Sequence, residues 1–76
     1  MLQRLRDALL ALAADKPNLD TRPLAGAAPW HRLRVGDYRI LYRSVDPTER
    51  HHPAMRFLVA RIVHRRDLER AVSTLT

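Results

Sequence analysis

Leu2, Leu5, Leu9, Leu12 and Ala13 recur at helical spacing with Gln3, Arg4, Arg6, Asp7 and Ala11 between them, which predicts an amphipathic helix over residues 1–14. Pro17 forces its end, because proline pushes the residue before it out of helical backbone. Residues 18–26 are rich in turn formers and lack periodicity, the pattern of a connecting loop. From Trp30 the period changes to two. Residues 31–35 and 38–43 flank Gly36-Asp37, and a glycine at the first position of a two-residue turn supplies the positive φ that a tight hairpin needs. A polar stretch over 46–53 precedes a third strand over 55–63, carrying Phe57, Leu58, Val59, Ile62 and Val63. Leu68, Ala71, Val72 and Leu75 return to helical spacing behind Asp67, a candidate N-cap. The predicted fold class is therefore α+β. It comprises a small antiparallel sheet of about three strands, an N-terminal helix packed on one face and a short C-terminal helix, in a single domain over residues 1–76.

Composition narrows the chemistry. A chain of 76 residues makes one small domain with a thin core. At 46% hydrophobic and 29% charged it has enough apolar surface to offset the ordering entropy of folding, which argues against disorder throughout. Having no cysteine removes disulfides, thiol nucleophiles and sulfur-ligated zinc. The net charge is +6, and Lys16 is the only lysine, so nearly all the positive charge is guanidinium, a planar fork of donors that matches phosphate oxygens. That balance points to an anionic partner, nucleic acid first. The apolar run over 8–14 follows basic residues as a signal peptide would. Asp7 and the shortness of the run favour a folded helix, and a cytoplasmic location is the expectation, with no membrane partner.

Closing the hairpin on Gly36-Asp37 sets Val35 opposite Tyr38, Arg34 opposite Arg39, Leu33 opposite Ile40 and Arg32 opposite Leu41. Alternation then sends Leu33, Val35, Tyr38, Ile40 and Tyr42 to a face the helix can cover, and Arg32, Arg34, Arg39, Leu41 and Arg43 to the other. Two arginines directly opposite each other cost up to about 1 kcal/mol in the empty protein. An anion bridging them would reverse that sign, since arginine–phosphate bonds are charge-assisted and roughly twice as strong as neutral ones. The plainer alternative is solvated strand arginines whose stems cover apolar sheet.

The residues Leu24-Ala-Gly26, Trp30-His-Arg-Leu-Arg-Val-Gly-Asp-Tyr-Arg39-Ile-Leu-Tyr42 and Val59-Ala-Arg-Ile-Val-His64-Arg65-Arg66-Asp67 resemble the RelE/ParE superfamily of toxins from bacterial toxin–antitoxin pairs, over about two-thirds of the chain. The resemblance implies a toxin silenced by a cognate antitoxin. In the RelE branch it implies an endoribonuclease on ribosome-bound mRNA that inhibits translation without metal or cofactor. There the ribose 2′-oxygen attacks the neighbouring phosphate and leaves a cyclic phosphate. Arg39 matches the family's arginine after the hairpin tyrosine, which stabilises phosphorane charge, and Arg65 matches the arginine ending the last strand. Arg32 and Arg34 lie where the family carries basic residues on the preceding strand, with Arg43, Arg61 and Arg66 as further phosphate-binding candidates. His64 is the acid–base group beside Arg65, with a backbone-bonded strand-end histidine as the alternative.

Two departures from the family pattern matter. Leu68-Glu69 stands where active RelE-like enzymes often place an aromatic, and the chain starts inside a helix where members begin with a strand followed by two helices. The first suits ParE-like toxins, which inhibit DNA gyrase without cutting RNA, or a catalytically defective member that only binds antitoxin or nucleic acid. Among the other residues, Tyr38 and Tyr42 read as core, His51-His52 lack metal-ligand spacing, and the leucine stripe reads as core with an antitoxin groove as the alternative.

Overall fold

The computed structural model describes residues 2–14, 16–49 and 56–75. In chain order these form helix α1 (Leu2–Ala13), strands β1 (Thr21–Pro23), β2 (His31–Val35) and β3 (Tyr38–Ser44), a 3-10 turn Pro47–Glu49, strand β4 (Phe57–His64), a 3-10 turn Arg65–Asp67 and helix α2 (Leu68–Ser73). The four strands make one antiparallel sheet in the order β1-β2-β3-β4. The fold is α+β, with one strand more than the alternation predicts.

The extra strand is β1, which lies in the predicted loop. Its three residues are all exposed and carry no alternation, so no hydrophobic pattern announces them. Pairing with the outer edge of β2 makes it a strand, with Thr21 opposite Leu33, Arg22 opposite Arg32 and Pro23 opposite His31. A proline, which has no N–H to give to a ladder, is tolerated at such an edge.

The hairpin register is the one the two-residue turn dictates: Val35 faces Tyr38, Arg34 faces Arg39, Leu33 faces Ile40 and Arg32 faces Leu41. Gly36 takes φ +60°. Beneath α1, Leu5 and Leu12 bury against Leu33, Val35, Ile40 and Tyr42, with Ala8, Leu9, Leu19, Tyr38 and Phe57 packed around them. Leu2 is 84% exposed, so the predicted stripe loses its first member, and Leu10 is exposed as well.

Between β3 and β4 the register slips at Leu41/Tyr42, so that Leu41 faces Arg61 while Tyr42 faces Val59. Ala60 is the extra residue, a bulge that exchanges the two faces of β4 along its length. It lets Phe57 meet the edge of Tyr42 at 5.6 Å on the core side, while Arg61 and Val63 share the arginine side with Leu41 and Arg39.

The second face is not wholly basic. Leu41 is fully buried yet stands outside the cluster under α1, as does Ala71 of α2. Helix α2 packs along β4, and arginine stems on a strand can cover apolar sheet. Asp67 stands at the N-cap position of α2 without a side-chain capping bond, contrary to the expectation. His64 caps the preceding 3-10 turn instead. His51 and His52 lie outside the described residues.

Candidate functional site

Arg39 is the centre of the arginine face. It lies on β3, opposite Arg34 on one side and Val63 on the other, and is half-buried. Its Nη1 donates to the Gly36 carbonyl at 3.0 Å and to the Tyr38 carbonyl at 3.0 Å. A guanidinium has five N–H donors, so these two bonds fix its plane and leave the Nε–Nη2 edge, the fork that grips an oxyanion, without a partner among the described residues.

Burial first, then the charges of Arg34, Arg32 and Arg65, pull the pKa of Arg39 below the ordinary guanidinium value, with Asp20 opposing them. Arg39 nonetheless stays protonated at neutral pH, because an arginine begins far above it. Arg32, Arg34 and Arg65 each lie close enough to Arg39 for their charges to act on it.

The chain's own acids neutralise part of this charge. Asp20 meets Arg32 at 3.3 Å and Arg34 at 3.9 Å, and Asp37 faces Arg65 Nε at 3.7 Å. The contacts to Arg34 and Arg65 are long and lie between exposed groups, where an ion pair contributes roughly 0–1 kcal/mol and yields readily to a competing anion. Arg39 has no carboxylate within ion-pair distance among the described residues. Two carboxylates stand against these four guanidiniums, so the face keeps an excess of positive charge.

The remaining candidates are placed differently. Arg43 grips Glu49 with both ends of its fork, at 2.9 and 3.1 Å, and lies over the Trp30 ring at 5.8 Å. The bond to Glu49 raises the Arg43 pKa and holds the Glu49 carboxyl below the usual range, so this arginine is engaged within the fold. Arg61, opposite Leu41, is exposed on the arginine side, and Arg66 is exposed beyond β4.

His64 pairs with Tyr38 and shares its face, across the sheet from Arg39. Its ring stands edge-on to Tyr38 at 5.6 Å, and Nδ1 accepts from the Arg66 backbone N–H at 3.3 Å. The structure therefore brings Arg32, Arg34, Arg39 and Arg65 together and sets His64 and Arg43 apart.

Two residues of the site escape the sequence pattern. Asp20 ties Arg32 to Arg34, and Arg22 lies opposite Arg32, and both reach the face only because β1 joins the sheet. Among the described residues no group of three or more His, Cys, Asp or Glu could hold a metal, and no helix is long and apolar enough to cross a membrane.

No protein-family model, no curated protein and no solved structure matches the chain. The RelE/ParE resemblance consequently rests on the hairpin and strand-end motifs alone.

Proposed function

We propose that the chain is a RelE-like toxin acting in the cytoplasm, a metal-independent endoribonuclease that cuts mRNA on the ribosome and is silenced by an antitoxin covering Arg39 and Arg65. One observation carries the reading. The Arg39 guanidinium is held through Nη1 by two backbone carbonyls, and it lies opposite Arg34 on a face that Arg32 shares.

In the step this suits, the ribose 2′-oxygen attacks the adjacent phosphorus and gives its proton to solvent. The bond from phosphorus to the 5′-oxygen breaks, and that oxygen takes a proton from solvent. The products are a 2′,3′-cyclic phosphate and a 5′-hydroxyl. Negative charge builds on the non-bridging oxygens, and donors already oriented toward it act without the reorganisation water would require. Arg39 supplies the oriented fork, Arg65 a second cation, and Arg32 and Arg34 hold flanking phosphates. No proton is routed through His64, whose Nδ1 is occupied on the opposite face.

A second reading has its own support. The acids that meet the arginines of this face, Asp20, Asp37 and Glu49, are all engaged with guanidiniums, and Leu68-Glu69 occupies the neighbourhood where an aromatic is expected. That favours a ParE-like inhibitor of DNA gyrase, which needs no chemistry of its own.

A translation reaction programmed with a defined mRNA separates the two. The enzyme reading expects arrest together with mRNA fragments ending in cyclic phosphate. It also expects roughly a 10²–10³-fold loss of cleavage for Arg39→Ala with an unchanged circular dichroism spectrum. Intact mRNA, with gyrase supercoiling inhibited equally by wild type and Arg39→Ala, would overturn it.

A further inference from the structure

We infer that Arg4 of α1 is a further phosphate-binding residue, and that the strand bound at Arg39 runs past the Gly36-Asp37 hairpin end to reach it. The inference rests on the nucleic-acid reading above and extends it to a residue from outside the sheet.

The geometry is local to one glycine. A Cβ built on Gly36 would lie 3.3 Å from Arg4 Nη1, 3.5 Å from Nη2 and 3.6 Å from Cζ. Such similar distances place the Arg4 guanidinium broadside against the turn. The carbonyl of the same residue accepts from Arg39 Nη1 at 3.0 Å. Arg39 comes from β3 and Arg4 from α1, which covers the opposite side of the sheet, so guanidiniums from two layers flank Gly36. The third is Arg65, whose backbone N–H donates to the Asp37 carbonyl at 2.7 Å. Asp37 is the only carboxylate in the turn itself, and it faces Arg65.

Arg4 is exposed and makes no ion pair among the described residues. Its cation is available to a ligand that has already met Arg39.

Both guanidiniums lie against Gly36, so neighbouring phosphates of one strand can meet the two.

The test is equilibrium binding of a short single-stranded RNA whose riboses are 2′-O-methylated, followed by fluorescence anisotropy across a range of salt. Blocking the 2′-oxygen removes cleavage, so binding is read apart from catalysis. Each lost phosphate contact should lower the slope of log K against log salt by about 0.7 for a single strand. Arg4→Ala and Arg39→Ala are each expected to show that loss and the double variant about twice it, while Arg4→Lys restores the slope. If Arg39→Ala lowers the slope and Arg4→Ala does not, the path misses α1 and the inference falls while the nucleic-acid reading stands. No change in either variant overturns both readings.

Discussion

Tyr42 shows how one side chain ties the core to pH. It is 6% exposed, stacks on His31 with ring centroids 5.6 Å apart, and meets the edge of Phe57. Burial raises its pKa, against a smaller opposing effect from a hydrogen bond with Thr21. The unfolded phenol ionises near pH 10, whereas the folded one keeps its proton to higher pH. Tyr42 therefore adds stability below about pH 10, and that contribution is lost as pH rises through the folded value. Denaturant melts of wild type and Tyr42→Phe are expected to differ in slope against pH only on the alkaline side, the variant losing stability less steeply. Matching alkaline slopes would assign the loss to other groups. Tyr42 as a core residue and Arg34 opposite Arg39 are both legible in the sequence, because a two-residue turn fixes every cross-strand pair after it. The Asp20 clamp is not legible, since its partners are 12 and 14 residues away and meet it only through a strand with no alternation.

At the scale of elements, α1 and the hairpin are one packing unit. The helix contributes Leu5 and Leu12 to the cluster beneath it, while Leu10 points to solvent at 62% exposure. Leu12→Ala is expected to cost about 2–5 kcal/mol by transfer and cavity terms. Leu10→Ala should stay within about 0.5 kcal/mol. Urea midpoints for the two variants check this, and equal shifts would mean that the helix sits on the sheet by another face. Helical spacing finds the helix, but it cannot tell that Leu2, on the same stripe, extends past the sheet. The bulge at Ala60 is also hidden. Phe57, Leu58 and Val59 form a continuous apolar run, so alternation gives no clue that β4 changes faces midway, and the edge strand keeps Leu58, Val59 and Ile62 partly exposed.

For the whole molecule, a net charge of +6 on 76 residues is self-repelling, and the arginine face concentrates it. Salt should stabilise the fold by screening, and an anion that binds Arg39 should add a mass-action term. Thermal midpoints in phosphate are expected to exceed those in sodium chloride of equal ionic strength, with the difference lost in Arg39→Ala. Equal midpoints would leave only screening. The basic face was legible because period-two alternation and an arginine-rich composition suffice to draw it. The separation of His64 from that face is fixed by its pairing with Tyr38, a register between β3 and β4 that composition and spacing do not encode. Arg39, with Arg32, Arg34 and Arg65 near enough for their charges to act on it, is proposed to receive a phosphodiester. Nuclear magnetic resonance of the arginine Nε–Hε groups during titration with 2′-O-methylated single-stranded RNA tests it most directly. Saturable shifts at Arg39, Arg65, Arg32 and Arg34, with Arg43 unmoved on Glu49, are the expected result, and shifts centred on Arg43 or spread evenly over all the arginines would contradict it.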